Sequence, residues 1–224
     1  FLVFWAVFRF KTICLPLLGL LICYVPIRKY TPFNIKKEHP VRSIKVLSYN
    51  VFMFAIWDFD PDETNPIVDY ILKSNADIVC LQETDVYGKH QDNIYKAFRK
   101  AYPYHDFVSM PAPGCQHMML LSRYPILKKE QIKYKSAGNI SFAYLINYNN
   151  QEVLVVNNHF ESNHLSEADK QGYKDMVRAP FEGSTTKTGS ERILDKLGRA
   201  AITRAPQVDA VAAYVKKHLD KKTP

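Results

Sequence analysis

Cysteine is scarce in this chain, with four residues among 224. That number is too small for a disulfide scaffold. Cys14, Cys23 and Cys80 lie in apolar runs, which predicts buried free thiols, whereas Cys115 is expected in a loop. Internal repeats are absent, and 47% apolar with 23% charged residues argue against a disordered tail, collagen or a coiled coil. We expect one globular domain with an appendage.

Most of the chain also lacks an excess of positive charge. The net charge is +8, but residues 1–45 contain eight Lys/Arg and one Asp/Glu. Residues 46–184 contain 13 basic and 17 acidic residues, a net charge of −4. This balance argues against a polyanion such as long duplex DNA as the partner. The basic excess lies beside an apolar N-terminus, where it is typical of contact with anionic lipid or of membrane topology.

The N-terminal segment is apolar over residues 1–8 and again over residues 12–27, with Arg9 and Lys11 between them. Each charge at mid-bilayer costs roughly 2.5–3.5 kcal/mol, so two helices joined by a charged turn are favoured over one continuous span. The pattern predicts transmembrane helices in residues 1–27, and a buried soluble helix is the alternative. As one helix, residues 12–27 would span about 24 Å, slightly less than the ~30 Å hydrocarbon core.

Residues 28–42 are expected to form a basic juxtamembrane linker, with Tyr30 and Phe33 at the membrane interface. Residues 28–45 contain six Lys/Arg, against two at residues 9–11. The positive-inside rule therefore predicts an integral membrane protein whose domain faces the cytoplasm.

From residue 43 onwards, strand and helix patterns alternate. The pattern predicts a βαβ-like opening with strands at 43–50 and 76–81 and a helix that Asn65 caps. A helix over 92–102 follows, and then five closely spaced strands between 104 and 158 suggest an antiparallel meander. Ser166 and Asp169 resemble a capping box that opens a helix toward Arg178. A loop is expected at 183–189, followed by helical periodicity over 193–219.

Polar residues follow three of the apolar strands, at the positions where α/β proteins usually build their sites. Asn50 ends the first strand, Glu83 follows the second, and Asn157 and His159 end the last. Each residue alone is weak evidence, because a strand-end Glu is more often a solvated cap and a strand-end His more often a structural group.

Together these residues resemble the endonuclease/exonuclease/phosphatase family, which has the deoxyribonuclease-like fold. The matching motifs, in the family's order, are Leu47-Ser-Tyr-Asn-Val51, Ile78-Val-Cys-Leu-Gln-Glu-Thr84, Leu121-Ser-Arg-Tyr-Pro-Ile126 and Val156-Asn-Asn-His-Phe160. The resemblance implies an α/β two-sheet sandwich with outer helices over residues 43–224. The apolar N-terminus, Pro32-Phe-Asn34 and residues 161–214 resemble a membrane-anchored bacterial branch of that family.

The resemblance implies hydrolysis of a phosphodiester or phosphomonoester with Mg²⁺, with Mn²⁺ as an alternative. Such a reaction concentrates negative charge on phosphoryl oxygens, which a hard cation held by oxygen ligands stabilises. Glu83 would bind the metal directly, and Asn50 would orient the metal or the phosphoryl group. His159 would donate a hydrogen bond to a phosphoryl oxygen, and Asn157 would support the same strand end. The substrate is left open among nucleic acid, a phospholipid head group and a small phosphoester.

The chain departs from the family in lacking Asp-x-Asn and Asp-His pairs. We therefore expect a fragment that carries the first part of the domain and is itself inactive. A membrane-tethered module that binds a phosphorylated ligand without catalysis is the alternative. A zinc site at His159, Glu161 and His164 is not expected, because the spacing is not that of a helical site.

Overall fold

The computed structural model describes residues 8–30, 43–109, 117–136, 138–162, 165–178 and 183–219. The chain divides into two compact units, Phe1–Ser43 and Ile44–Pro224. The predictions for residues 1–7, for most of the linker including Phe33, for Cys115 and for His164 lie outside the described residues.

The apolar run of the first unit forms short helices. A 3₁₀ turn at Phe10–Thr12 precedes α1 (Cys14–Ile22) and α2 (Tyr24–Tyr30). The prediction of one helix over residues 12–27 is therefore wrong, because the helix is interrupted at Cys23. In the described part of the chain, no helix is both long enough and apolar enough to cross a bilayer. Cys14 and Cys23 are exposed, contrary to expectation, whereas Cys80 is buried as predicted.

The second unit contains two sheets. β1 (Val46–Asn50), β2 (Ile78–Gln82), β3 (Tyr104–Val108) and β4 (Met118–Ser122) form the first, in the order β1-β2-β4-β3. β5 (Ile126–Ile132), β6 (Ser141–Tyr148) and β7 (Gln151–Asn158) form the second in chain order. β1 and β2 are parallel, and the remaining pairs are antiparallel.

The predicted antiparallel pairing of consecutive strands is confirmed for β3–β4 and for β5–β7, but the meander does not continue from β4 to β5, which belong to different sheets. The reason lies in β4, whose Met-Met-Leu-Leu-Ser sequence is buried at every position. A strand that is apolar on both faces is most stable at the interior of a sheet, and β4 accordingly lies between β2 and β3.

The described helices of the second unit are α3 (Pro66–Ser74), α4 (Gly88–Ala101), α5 (Glu167–Arg178) and α6 (Gly183–His218). α3 and α4 contribute Ile71 and Phe98 to a core on the outer face of the first sheet. Cys80 and Phe142 belong to the core between the sheets, and Val211 of α6 packs on the outer face of the second. The expected α/β two-sheet sandwich with outer helices is therefore the fold of this unit.

The sequence patterns predicted the starts of α3 and α5 correctly and those of α4 and α6 incorrectly. Asn65 caps α3 by accepting hydrogen bonds from the amides of Ile67 and Val68, as predicted. Ser166 and Asp169 form the predicted capping box of α5. α4 begins at Gly88, four residues before the predicted start. The loop predicted at residues 183–189 is wrong, because these residues continue into α6 and the loop preference of Gly, Ser and Thr is only a weak one.

Candidate active site

The strand order brings the polar strand ends to one edge of the sandwich. Asn50 and Gln82 are register partners in the parallel β1–β2 pair, so Asn50 and Glu83 lie at the same edge. His159 follows β7 directly, and its amide donates to the carbonyl of Ile140 at 3.0 Å. Three separate strands therefore present the side chains that the sequence singled out.

Asn50, Glu83 and His159 are in direct contact. The Nδ2 of Asn50 donates to the Oε1 of Glu83 at 2.7 Å, and the Nε2 of His159 lies 3.3 Å from the same oxygen. The side chains of His159 and Glu83 are 15% and 24% exposed. A half-buried carboxylate reached by an amide and an imidazole is open to a ligand from one side.

Asn139 fixes the tautomer of His159. Its Nδ2 donates to the carbonyl of Phe160 at 3.0 Å, which orients the amide, and the same nitrogen lies 3.3 Å from the Nδ1 of His159. An amide nitrogen can only donate, so Nδ1 accepts and the ring proton of neutral His159 is on Nε2. The imidazole therefore presents an N–H donor toward Glu83.

Asn157 does not join this group of contacts. It is 1% exposed, its Nδ2 donates to the carbonyls of Leu81 and Met119 at 3.2 and 3.1 Å, and its Oδ1 accepts from Gln82 at 2.7 Å. These bonds join β7 of the second sheet to β2 and β4 of the first. Asn157 holds the two sheets together behind the strand ends.

A left-handed turn follows Asn50. Phe52, Met53, Phe54 and Ala55 have φ of 42°, 53°, 54° and 48°, and Glu83 has φ of 54°. The two strained segments are bonded to each other, since the amide of Met53 donates to the carbonyl of Glu83 at 2.7 Å. Non-glycine residues in this region each cost on the order of 1–3 kcal/mol and concentrate at functional sites.

Sequence reasoning missed several residues around the site. It assigned no role to Asn139 or to Gln82. Asp85 and His117 form a carboxylate–imidazole pair at 3.6 Å, although they are separated by 32 positions in the chain. Contact patterns of this kind depend on strand pairing and leave no signal in residue spacing.

Arg123 lies at the opposite end of β2 from Glu83. Its Nη2 donates to the Oδ1 of Asn75 at 2.5 Å, and its Nη1 lies 3.9 Å from Asp77. Asp77 directly precedes β2, whereas Glu83 directly follows it. The motif that contains Arg123 is therefore away from the candidate site.

The donor set of the site suits a hard cation. Glu83 offers a carboxylate, the ligand type that Mg²⁺ prefers, and this ion is commonly held by one or two carboxylates together with water and substrate phosphate. The Nδ2 of Asn50 faces that carboxylate and its Oδ1 accepts from the amide of Phe52, so Asn50 orients Glu83. Within the ranges that the structure describes, no three His, Cys, Asp or Glu side chains are clustered so as to hold a metal by themselves. The residues fit a site in which Glu83 is the one protein carboxylate.

The profile of the Endonuclease/Exonuclease/phosphatase family matches residues 47–216. The chain belongs to this family. Its members are phosphodiesterases or phosphatases, and the match includes every residue of the candidate site. No curated protein sequence matches the chain.

Several solved structures are similar to this family member. SmcL is 16% identical with a TM-score of 0.40, and the match covers 69% of this chain and 68% of SmcL. TDP2 from Caenorhabditis elegans is 16% identical with a TM-score of 0.45, covering 70% and 48% of the two chains. An endonuclease/exonuclease/phosphatase from Beutenbergia cavernae is 16% identical with a TM-score of 0.40, covering 60% and 43%. The chain thus spans about half the length of the last two proteins.

Proposed function

We propose that this chain carries the metal- and phosphate-binding half of a divalent-metal-dependent phosphoester hydrolase. The observation that supports the proposal is the convergence of Asn50 and His159 on the Oε1 of Glu83, at 2.7 and 3.3 Å. The carboxylate of Glu83 would hold Mg²⁺ or Mn²⁺, and Asn50 would orient that carboxylate. When bound, the cation supplies Lewis-acid stabilisation of the charge that develops on phosphoryl oxygens.

The protein side chains have separate tasks in this proposal. His159 donates a hydrogen bond from Nε2 to a phosphoryl oxygen, since Asn139 keeps the proton on that nitrogen. Asn50 holds the carboxylate of Glu83 in place with its Nδ2, and its Oδ1 accepts from the amide of Phe52 at 3.1 Å. Asn157 positions the end of β7 without contacting the substrate.

The test is the Glu83→Gln variant, which keeps the side-chain volume and removes the charge that attracts the cation. We expect Mn²⁺ binding, measured by calorimetry on the 224-residue chain, to weaken at least about tenfold. Glu152→Gln, an exposed residue of β7, is the matched control and should bind Mn²⁺ as the parent does. Unchanged Mn²⁺ affinity in Glu83→Gln would sink the assignment.

A measurement of turnover distinguishes a hydrolase from a protein that only binds the phosphoester. The parent chain is incubated with Mg²⁺ and bis(p-nitrophenyl) phosphate, with a chelator in the parallel sample. Mg²⁺-dependent release of nitrophenol that Glu83→Gln loses supports catalysis by this chain. Metal binding through Glu83 without turnover supports the alternative, a module that holds a phosphorylated ligand.

We also propose that residues 1–42 attach the protein to a membrane, with the domain on the cytoplasmic side. The support is the apolar surface of α1 and α2, where Leu21, Ile22 and Val25 are 75%, 69% and 74% exposed. The basic residues that follow favour the cytoplasmic leaflet. A lipid head group is then one candidate substrate by proximity.

A further inference from the structure

Two large aromatic side chains are exposed on the turn that follows β1. Phe52 is 62% exposed and Trp57 is 55% exposed. Their ring centroids are 5.2 Å apart at an interplanar angle of 80°, an edge-to-face contact. We call Phe52 and Trp57 the aromatic pair. Large apolar side chains that are grouped at the surface commonly mark a binding site.

The aromatic pair is fixed next to Glu83 by the backbone. The amide of Phe52 donates to the Oδ1 of Asn50, and the amide of the next residue, Met53, donates to the carbonyl of Glu83. Phe54 and Ile56, which lie between the two aromatic residues in the chain, are 0% and 6% exposed and anchor the turn in the core. The backbone of Phe52 therefore lies beside Asn50 and Glu83, and the edge-to-face contact places Trp57 beside Phe52.

The chemistry of the turn favours a flat, uncharged ring as the occupant. The rings of Phe52 and Trp57 offer π faces, on which every nucleobase stacks. Four acidic residues follow Trp57 within six positions: Asp58, Asp60, Asp62 and Glu63. These carboxylates repel an anionic lipid surface, whereas a neutral base carries no charge to be repelled.

We propose that the aromatic pair is a stacking subsite for the base of a nucleotide whose phosphate is bound at Glu83. The proposal rests on the proposed function, because Glu83 and its cation hold the phosphate. It narrows the substrate to a phosphoester with an unpaired base, since a base inside a duplex has no free face. The negative charge of residues 46–184 agrees with a small or single-stranded ligand rather than long duplex DNA.

The test compares two ligands that differ only by the base. Adenosine monophosphate and ribose 5-phosphate are titrated into the 224-residue chain with Mg²⁺ by calorimetry. We expect adenosine monophosphate to bind more tightly by about tenfold, the order of magnitude of one stacked base. Phe52→Leu and Trp57→Leu should each remove most of this preference and leave ribose 5-phosphate binding unchanged. Tyr173→Leu, an equally exposed aromatic on α5 at 55%, is the control and should keep the preference.

The outcomes separate this inference from the proposed function. Equal binding of the two ligands, with both lost in Glu83→Gln, overturns the stacking subsite and leaves the phosphate site standing. Failure of both ligands to bind the parent overturns the proposed function and the subsite with it. Binding to phosphatidylcholine vesicles that Phe52→Leu reduces, without a preference for the base, also overturns the subsite and assigns the pair to a lipid surface.

Discussion

Asn157 uses its whole amide group inside the protein. Its two donors and its carbonyl bond to Leu81, Met119 and Gln82, and none of these atoms is at the surface. Removal of the amide takes a donor from each of two buried carbonyls and an acceptor from the Nε2 of Gln82, which keeps its bond to the carbonyl of Cys80 at 3.2 Å. A buried polar group that loses its partner costs about 1–3 kcal/mol.

We predict that Asn157→Ala lowers the free energy of unfolding by about 3 kcal/mol, because it removes three buried hydrogen bonds between the sheets. Chemical denaturation of the 224-residue chain measures the change. Gln151→Ala, at the exposed start of the same strand, should change it by less than about 0.5 kcal/mol. A loss below 1 kcal/mol in Asn157→Ala would show that the amide does not hold the sheets together.

At the scale of single residues, the sequence identified the candidate site residues better than it predicted their contacts. Asn50, Glu83 and His159 were recognised because each ends an apolar strand, and strand ends can be read from hydrophobic patterning. Asn139 was not recognised as part of the site, because it precedes β6 and reaches His159 only through the pairing of β6 with β7. The inward orientation of Asn157 also depends on the docking of two sheets, which no local pattern specifies.

Among the elements, α5 and α6 are joined through one carboxylate. Asp169 is 1% exposed, and its Oδ2 accepts from the Nζ of Lys196 on α6 at 2.5 Å and from the hydroxyl of Ser166 at 2.7 Å. Arg192 of α6 lies 2.8 Å from the other oxygen. The Lys196 ammonium and the Ser166 hydroxyl hold the pKa of Asp169 well below its usual range.

We predict that this contact is lost in acid. The pKa of Asp169 is lower in the folded than in the unfolded chain, so its contribution is present above about pH 4 and is lost as the pH falls below that value. Between pH 5 and pH 2, the melting temperature of the parent should therefore fall more steeply than that of Asp169→Asn. Asp195→Asn, which removes an exposed carboxylate of α6, is the control and should follow the parent. Parallel curves for the parent and Asp169→Asn would contradict the prediction.

The elements themselves were largely predictable, and their exceptions have local causes. The helical periodicity of residues 193–219 is strong, and α6 includes all of it except Leu219. The predicted break at residues 183–189 came from Gly, Ser and Thr, whose preferences tertiary context overrides. The apolar run at residues 12–27 predicted one helix, but hydropathy does not mark the interruption at Cys23, which falls inside that run.

At the scale of the whole molecule, the two units differ in how far they bury their apolar side chains. α1 contains no buried residue, whereas the second unit has three hydrophobic cores. We predict that the 224-residue chain sediments with membranes and resists carbonate extraction, and that a chain without residues 1–43 stays in the supernatant. Recovery of the longer chain in the supernatant would refute membrane attachment.

Sidedness is measured in spheroplasts. External protease should leave the second unit intact if the positive-inside rule applies to residues 28–45. Permeabilised spheroplasts treated with the same protease are the control and should lose it. Cleavage in intact spheroplasts would place the domain on the outer side.

The hydrogen bond between Gln82 and Asn157 joins residues that are 75 positions apart. Closing a loop of that length costs entropy before any contact repays it, and pairings of high sequence separation form slowly. During synthesis, β1 and β2 can pair long before β7 has left the ribosome. Glu83 is therefore in place before His159 can contact it. Order of appearance thus makes the candidate site form only after β7 has been synthesised and docked. A ligand that contacts both Glu83 and His159 binds only the state of the chain in which the two sheets are docked. By mass action it therefore shifts the folding equilibrium toward that state.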